Sequence, residues 1–102
     1  MGKKETKIEN AVCGYAEEQG FLVRKYHSIG VRGCPDRILF GHGQCFLIEF
    51  KAPDGDLEPW QIREIDRIRK HGVKVFVVDD IKEGKLIIDG AKITGIVYVK
   101  TG

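Results

Sequence analysis

Residues 33–51 read GCPDRILFGHGQCFLIEFK, and this stretch has the clearest structural pattern in the chain. Two short apolar segments, residues 36–40 and 44–51, flank the turn Gly41-His42-Gly43. Aromatic and branched residues favour β-strands, and a short glycine-containing link is typical of a hairpin. The stretch therefore predicts two adjacent antiparallel strands.

The residues upstream predict a helix and one more strand. Apolar side chains recur at helical spacing between residues 5 and 19, and Gly20 is a typical stop signal. They are Ile8, Val12, Tyr15 and Ala16. Residues 21–28 are rich in aromatic and branched side chains, and the glycine-containing loop 29–35 links them to the hairpin. The first half of the chain is thus a helix followed by a three-stranded meander.

The residues downstream predict a crossover. Asp56 is a candidate helix cap, Pro59 is tolerated in a first turn, and the helix then runs to about His71. Residues 73–79 are a nearly continuous apolar run, which is typical of a central strand covered on both faces. A strand, a helix and a strand in succession predict a parallel pair, so we expect a mixed sheet.

Residues 81–102 contain two short branched segments, residues 86–88 and 96–99, which predict one or two edge strands. The chain as a whole predicts an α/β fold in the order αβββαβ, with helices flanking a central mixed sheet. Its 102 residues are the size of one domain, so we expect residues 1–102 to form a single domain.

The composition excludes several classes of protein. Apolar residues make up 42% and charged residues 31%, the ordinary balance of a soluble globular protein. The sequence has no apolar run of about 18 residues and no apolar signal core near its start, so we expect no membrane contact and a cytoplasmic location. Three widely spaced cysteines do not predict a disulfide framework. A zinc site is the weaker alternative, since the possible ligands lack close pairs. They are His27, Cys34, His42 and Cys45.

Charged residues interrupt the apolar pattern at the ends of the hairpin strands. Alternation along a strand places Glu49 and Lys51 on one face, about 7 Å apart. Asp36 begins the preceding strand, where antiparallel pairing can bring it beside Glu49. Converging carboxylates repel each other, and a hard cation such as Mg²⁺ between them relieves this repulsion. A nearby ammonium then stabilises charge on a phosphate. The pattern indicates phosphodiester hydrolysis, with a solvated ion pair between Glu49 and Lys51 as the simpler alternative.

Gln61 lies on an otherwise apolar stripe of the second predicted helix. The stripe consists of Leu57, Gln61, Ile65 and Ile68. An amide in such a position needs hydrogen-bond partners. It can bond Lys51, a backbone group or a water of the metal site, and a satisfied core amide is the alternative.

These motifs resemble a known nuclease family. Pro35-Asp36 followed by Glu49-Phe50-Lys51 resembles the PD-(D/E)-x-K signature. The wider stretches 33–40, 48–53 and 57–61 are similar to the virus-type replication-repair nuclease (VRR-NUC) family, over roughly residues 5–80. The resemblance implies a restriction-endonuclease-like core with Mg²⁺ as the metal and Mn²⁺ as a substitute.

The resemblance also implies roles for individual residues. Asp36 and Glu49 would bind the metal, with the backbone carbonyl of Phe50 as an added ligand, and Lys51 would assist the attacking water. The family also has a glutamine on the helix that follows the motif, and Gln61 lies at the matching position in this chain.

A glutamate of the first helix joins the metal site in the family. Glu9 is our choice for this position, because it lies next to the apolar face of the helix, and Glu5, one turn earlier, is its rival.

Stand-alone members of the family resemble phage or bacterial Holliday-junction resolvases that act as homodimers. This implies a structure-specific DNA endonuclease, of the kind used in DNA repair, that cuts branched or four-way DNA, with simple nicking of duplex or flap DNA as an open alternative. A non-catalytic nucleic-acid-binding module on the same fold is the alternative, although pure binding does not need converging carboxylates. Trp60 is interpreted as a core residue rather than as a stacking platform for bases, as are Tyr15, Tyr26 and Phe21. Basic residues that can meet phosphates are Lys3, Lys4, Lys7, Arg24, Lys25, Arg32 and Arg37. A solvated basic face is the alternative, and it is the preferred interpretation for any one of them.

Overall fold

The computed structural model describes the backbone of residues 2–101 and the side chains of residues 2–93. The elements are α1 (Lys3–Glu18), β1 (Leu22–Lys25), β2 (Arg37–Gly41), β3 (Gln44–Phe50), α2 (Pro59–Lys70), β4 (Val75–Val78) and α3 (Ile81–Thr101). The predicted order αβββαβ is confirmed, and one further helix follows it. In the described part of the chain, no helix is long and apolar enough to cross a membrane.

The strands form one mixed sheet in the order β1-β2-β3-β4. The first three strands are an antiparallel meander, and β4 lies parallel to β3, with α2 as the crossover. Among the described strands β4 is at the edge of the sheet, so the prediction that residues 73–79 form a central strand is wrong. The apolar run is explained by cover on both faces, since Val75 packs in the cluster of α2 and Val78 in the cluster of α1 and α3.

The two faces of β3 pack against different helices. Phe46, Ile48 and Phe50 join the core formed with α1 and α3, whereas Leu47 packs with Ile65 of α2. The predicted alternation of β3 is therefore confirmed. Glu49 shares the face of Leu47 and consequently lies under α2.

Residues 81–101 form a helix, so the predicted edge strands at residues 86–88 and 96–99 are wrong. Ile81, Ile88 and Ala91 recur at helical spacing and pack in the core beside α1. Burial of this stripe outweighs the preference of branched residues for strands, because tertiary packing supplies most of the stability of a helix. The Oδ2 atom of Asp80 accepts the N–H of Glu83 at 2.9 Å and caps the first turn.

The helix α2 begins at Pro59, and Asp56 is not its cap. Glu58 is the residue at the cap position, and its backbone N–H donates to Oε1 of Gln61 at 2.7 Å. This bond fixes the orientation of the Gln61 amide at the first turn of the helix, next to the sheet.

Candidate functional site

The carboxyl groups of Asp36 and Glu49 are in contact. Arg37 pairs with Ile48 across the antiparallel strands β2 and β3, and one step further this register puts Asp36 opposite Glu49. The backbone N–H of Phe50 donates to Oδ2 of Asp36 at 2.7 Å. The two carboxyl groups lie within hydrogen-bond reach of each other, so they can share a proton. The convergence predicted from the sequence is thus present.

Burial makes this pair electrostatically unusual. Glu49 is only 2% exposed, and its burial raises the pKa of the carboxyl group above its ordinary value of 4.5. The hydrogen bond and the negative charge of Asp36 raise it further, against the opposing effect of Gln61, and the pKa reaches about 9. At neutral pH the pair therefore shares a proton when no cation is bound.

Gln61 links α2 to this pair. Its Nε2 donates to Oε2 of Glu49 at 3.1 Å, while its Oε1 accepts the N–H of Glu58. The apolar neighbours on the stripe, Leu57, Ile65 and Ile68, pack in the core cluster of α2. The contact between Gln61 and the site is present, and a catalytic part for it stays a prediction.

Lys51 is held at the carboxyl end of β3. Its Nζ donates to the carbonyl oxygens of Gly55 at 2.6 Å and Ala52 at 3.2 Å, and it lies 3.6 Å from Oδ2 of Asp79. Asp79 directly follows the last residue of β4, and it is not among the site residues predicted from the sequence. The signal was the parallel crossover, which brings the ends of β3 and β4 to the same edge.

The first-helix glutamates have different partners. Glu9 is buried, and its Oε2 accepts a hydrogen bond from Nε of Arg37 at 2.6 Å. Glu5 is half-buried, and its charge contributes to the raised pKa of Glu49, after burial and Asp36. Glu9 is therefore paired with a guanidinium, which favours its rival Glu5 at the metal site, and a metal role for either glutamate stays a prediction. Phe50 contacts Asp36 through its N–H, and its carbonyl as a ligand also stays a prediction.

Two open clefts reach Asp36. One lies against α1 and is lined by Thr6, Glu9, Asn10, Lys25, Asp36 and Arg37. The other lies between the loop 29–35 and the start of α2, and Lys25, Asp36 and Gln61 are among its walls. Lys25 and Arg37 are therefore placed at the site as predicted, whereas Lys4 pairs with Asp54.

The donor set suits a hard cation. Carboxylate oxygens are among the ligands that Mg²⁺ prefers, and a cation can take the place of the shared proton. In the part of the chain described by the structure, no three His, Cys, Asp or Glu side chains are grouped so that they could hold a metal ion. The site therefore offers a carboxylate pair rather than a triad, and no zinc cluster forms there.

The fold and this site define an α/β protein of the nuclease class, with a carboxylate pair and a lysine at the end of adjacent strands. The family model of the VRR-NUC domain matches residues 5–79. The chain belongs to the VRR-NUC family, as the resemblance of its motifs indicated.

Similar proteins agree with this assignment. A protein of Acyrthosiphon pisum secondary endosymbiont phage 1, named "Putative nuclease p44", is 34% identical over 77 residues, which are 74% of this chain and 83% of the relative. A solved structure described as a VRR-NUC domain has a TM-score of 0.78 and 32% identity, over 86% of this chain and 97% of the other. A second, described as a VRR-NUC domain protein, has a TM-score of 0.70 at 20% identity, over 88% of each chain, and supports the fold.

Proposed function

We propose that this nuclease is a Mg²⁺-dependent, structure-specific DNA endonuclease, and that Mn²⁺ substitutes for Mg²⁺. The contact between the buried carboxyl group of Glu49 and the half-buried carboxyl group of Asp36 is the observation that supports this proposal most. Such a pair needs a proton or a cation between its oxygens, since two like charges in contact repel each other strongly when one of them is buried. A divalent ion satisfies this need at the pH of the cell.

The residues of the site have distinct parts in the proposed reaction. Asp36 and Glu49 hold the metal, with the carbonyl of Phe50 as an added ligand, and Gln61 fixes the carboxylate of Glu49 by its hydrogen bond. When bound, Mg²⁺ supplies a Lewis acid that polarises the phosphate and acidifies the attacking water. The ammonium of Lys51 orients that water or stabilises charge on the phosphate, and to do so it exchanges one of its carbonyl partners.

The proposed substrate is branched DNA, with a four-way junction as the main candidate. The clefts that meet at Asp36 support this view, because a strand can approach the carboxylate pair from the α1 side and from the α2 side. A homodimer on a two-fold axis would present two such sites to a symmetric junction.

The test is cleavage of supercoiled plasmid and of a synthetic four-way junction, with and without Mg²⁺. We expect metal-dependent cleavage that is faster on the junction. Lys51→Ala should lower the rate by about 10²–10³-fold, in the range found when one group that stabilises transition-state charge is removed. Lys70→Ala removes an exposed lysine at the other end of α2 and is the matched control. DNA binding with no metal-dependent cut would instead establish a non-catalytic binding module.

A further inference from the structure

The cleft on the α2 side of Asp36 has walls that suit more than the approach of a strand. It lies between the loop 29–35 and the start of α2, has a volume of about 510 Å³ and opens to solvent. Asp36 and Gln61 line it, so it is continuous with the site. Its other polar and aromatic walls are Lys25, Tyr26, His27 and Trp60. A volume of this size is within the range of small-molecule sites.

A stacked pair lies where the loop meets the start of α2, and Trp60 is the member of the pair that lines the cleft. The guanidinium of Arg32 lies 3.5 Å from the centroid of the Trp60 ring, which is close contact for a cation over an indole. Gly33 makes the approach possible, since it adopts φ +88° and a Cβ there would lie 2.6 Å from the carbonyl oxygen of Trp60. The loop is thus pressed against the first turn of α2 at this point.

Neither member of the pair is used elsewhere in the described chain. Arg32 is exposed, and no acidic side chain of the described residues forms an ion pair with it. Trp60 is half-buried and belongs to neither core cluster, so its interpretation as a core residue is wrong. The flat guanidinium therefore presents both a π-stacking face and an unpaired positive charge beside Trp60, which lines the cleft.

We propose that this cleft binds one unstacked nucleotide of a DNA strand, next to the phosphate that is cut. The base stacks on the Arg32–Trp60 pair, and Lys25 meets a flanking phosphate. This inference rests on the proposed function, in which the scissile phosphate lies at the Asp36–Glu49 pair. The ligand is a single-stranded nucleotide, because both faces of a base inside a duplex are covered by its neighbours. The site thus recognises the unpaired strand of a flap, gap or opened branch.

The only tryptophan of the chain allows a direct test. Metal-free protein in EDTA is titrated with a short oligothymidylate and with a blunt duplex of equal length, while Trp60 emission and DNA anisotropy are recorded. We expect the single strand to quench Trp60 and the duplex to leave it nearly unchanged. Arg32→Ala should weaken single-strand binding by about 5–100-fold, the range measured for the loss of one stacked base.

Two further variants separate stacking from charge and from folding. Arg32→Lys keeps the charge but loses the flat stacking surface, so it should recover only part of the affinity. Lys70→Ala should bind within about twofold of the wild type, since it lies ten residues along α2 from Trp60, roughly 15 Å away.

Several outcomes would overturn the inference. The first is unchanged Trp60 emission when anisotropy shows saturation, and the second is equal quenching by the duplex. The third is wild-type single-strand affinity of Arg32→Ala. This holds even if that variant melts at a lower temperature, which would show that Arg32 only anchors the loop. No chemistry is needed for this measurement. Quenching without any metal-dependent cleavage would therefore contradict the proposed function alone, and cleavage without quenching would contradict the cleft alone.

Discussion

At the scale of single residues, the site depends on side chains that are costly to bury. The burial of Glu49 under α2 is tolerated because Asp36 and Gln61 both contact its carboxyl group. Asp36 is in turn fixed by the N–H of Phe50. Each polar group of the site therefore has a partner in the protein, and a cation need only displace the shared proton.

The two first-helix glutamates should respond differently to loss of charge. Glu9→Gln should lower the free energy of unfolding by about 1–3 kcal/mol, because Arg37 is left mostly buried without a carboxylate. Glu5→Gln should change stability by less than about 0.5 kcal/mol but weaken Mn²⁺ binding, since its charge acts on Glu49. Urea unfolding and metal titration of both variants test this. Equal loss of metal affinity in the two would contradict it.

Sequence patterns predict the site residues of the sheet better than those of the helices. Strand alternation places Glu49 on a face, and hairpin register places Asp36 opposite it, so both follow from local rules. The partner of Glu9 could not be found in this way, because it depends on how α1 packs across the sheet. The contact of Arg32 with Trp60 likewise depends on the path of a loop.

At the scale of elements, α3 is the part of the fold that differs most from the prediction, which had strands in its place. Leu86, Ile87 and Ile88 read as a strand in isolation, yet in the helix only Ile88 is fully buried and Leu86 is exposed. The capping pattern Asp80-x-x-Glu83 was the available signal for a helix start. The close approach of α1 to α3 at Gly84 is set by tertiary packing, so local patterns do not show it.

Gly84 should be intolerant of a side chain. A Cβ at this position would lie 2.5 Å from Cγ2 of Val12, so Gly84→Ala should destabilise the protein by about 1–3 kcal/mol. Gly14→Ala is the matched control in α1, where a Cβ meets nothing within 4 Å, and it should stabilise by about 0.5–1 kcal/mol. Denaturant unfolding measures both changes. Equal stability of the two variants would show that α3 does not pack on α1 in this way.

At the scale of the whole molecule, the sheet gathers the site at one edge. The meander brings Asp36 beside Glu49, and the parallel crossover brings Asp79 beside Lys51. Helices on both faces bury the strands, and the clefts on either side of Asp36 remain open. The fold therefore combines a carboxylate pair, of which Glu49 is buried and Asp36 is accessible, with room for a DNA strand.

Stability without metal should depend on pH through Glu49. Its folded pKa of about 9 is above the ordinary 4.5, so the protonated form favours folding. This contribution is complete below about pH 4.5 and is lost as the pH rises through about 9. Metal-free protein should melt at a lower temperature at about pH 8 than at about pH 6, and Mg²⁺ should raise the melting temperature more at the higher pH. Glu49→Gln is the control, and it should remove both effects.

The most direct test of the central claim, that Asp36 and Glu49 hold one divalent ion together, is anomalous diffraction from crystals soaked in Mn²⁺. We predict a peak about 2.1 Å from a carboxylate oxygen of each residue, and no peak there in Glu49→Gln crystals. A Mn²⁺ ion bound elsewhere, or a site between these residues that stays empty under conditions in which Mn²⁺ supports cleavage, would contradict the account.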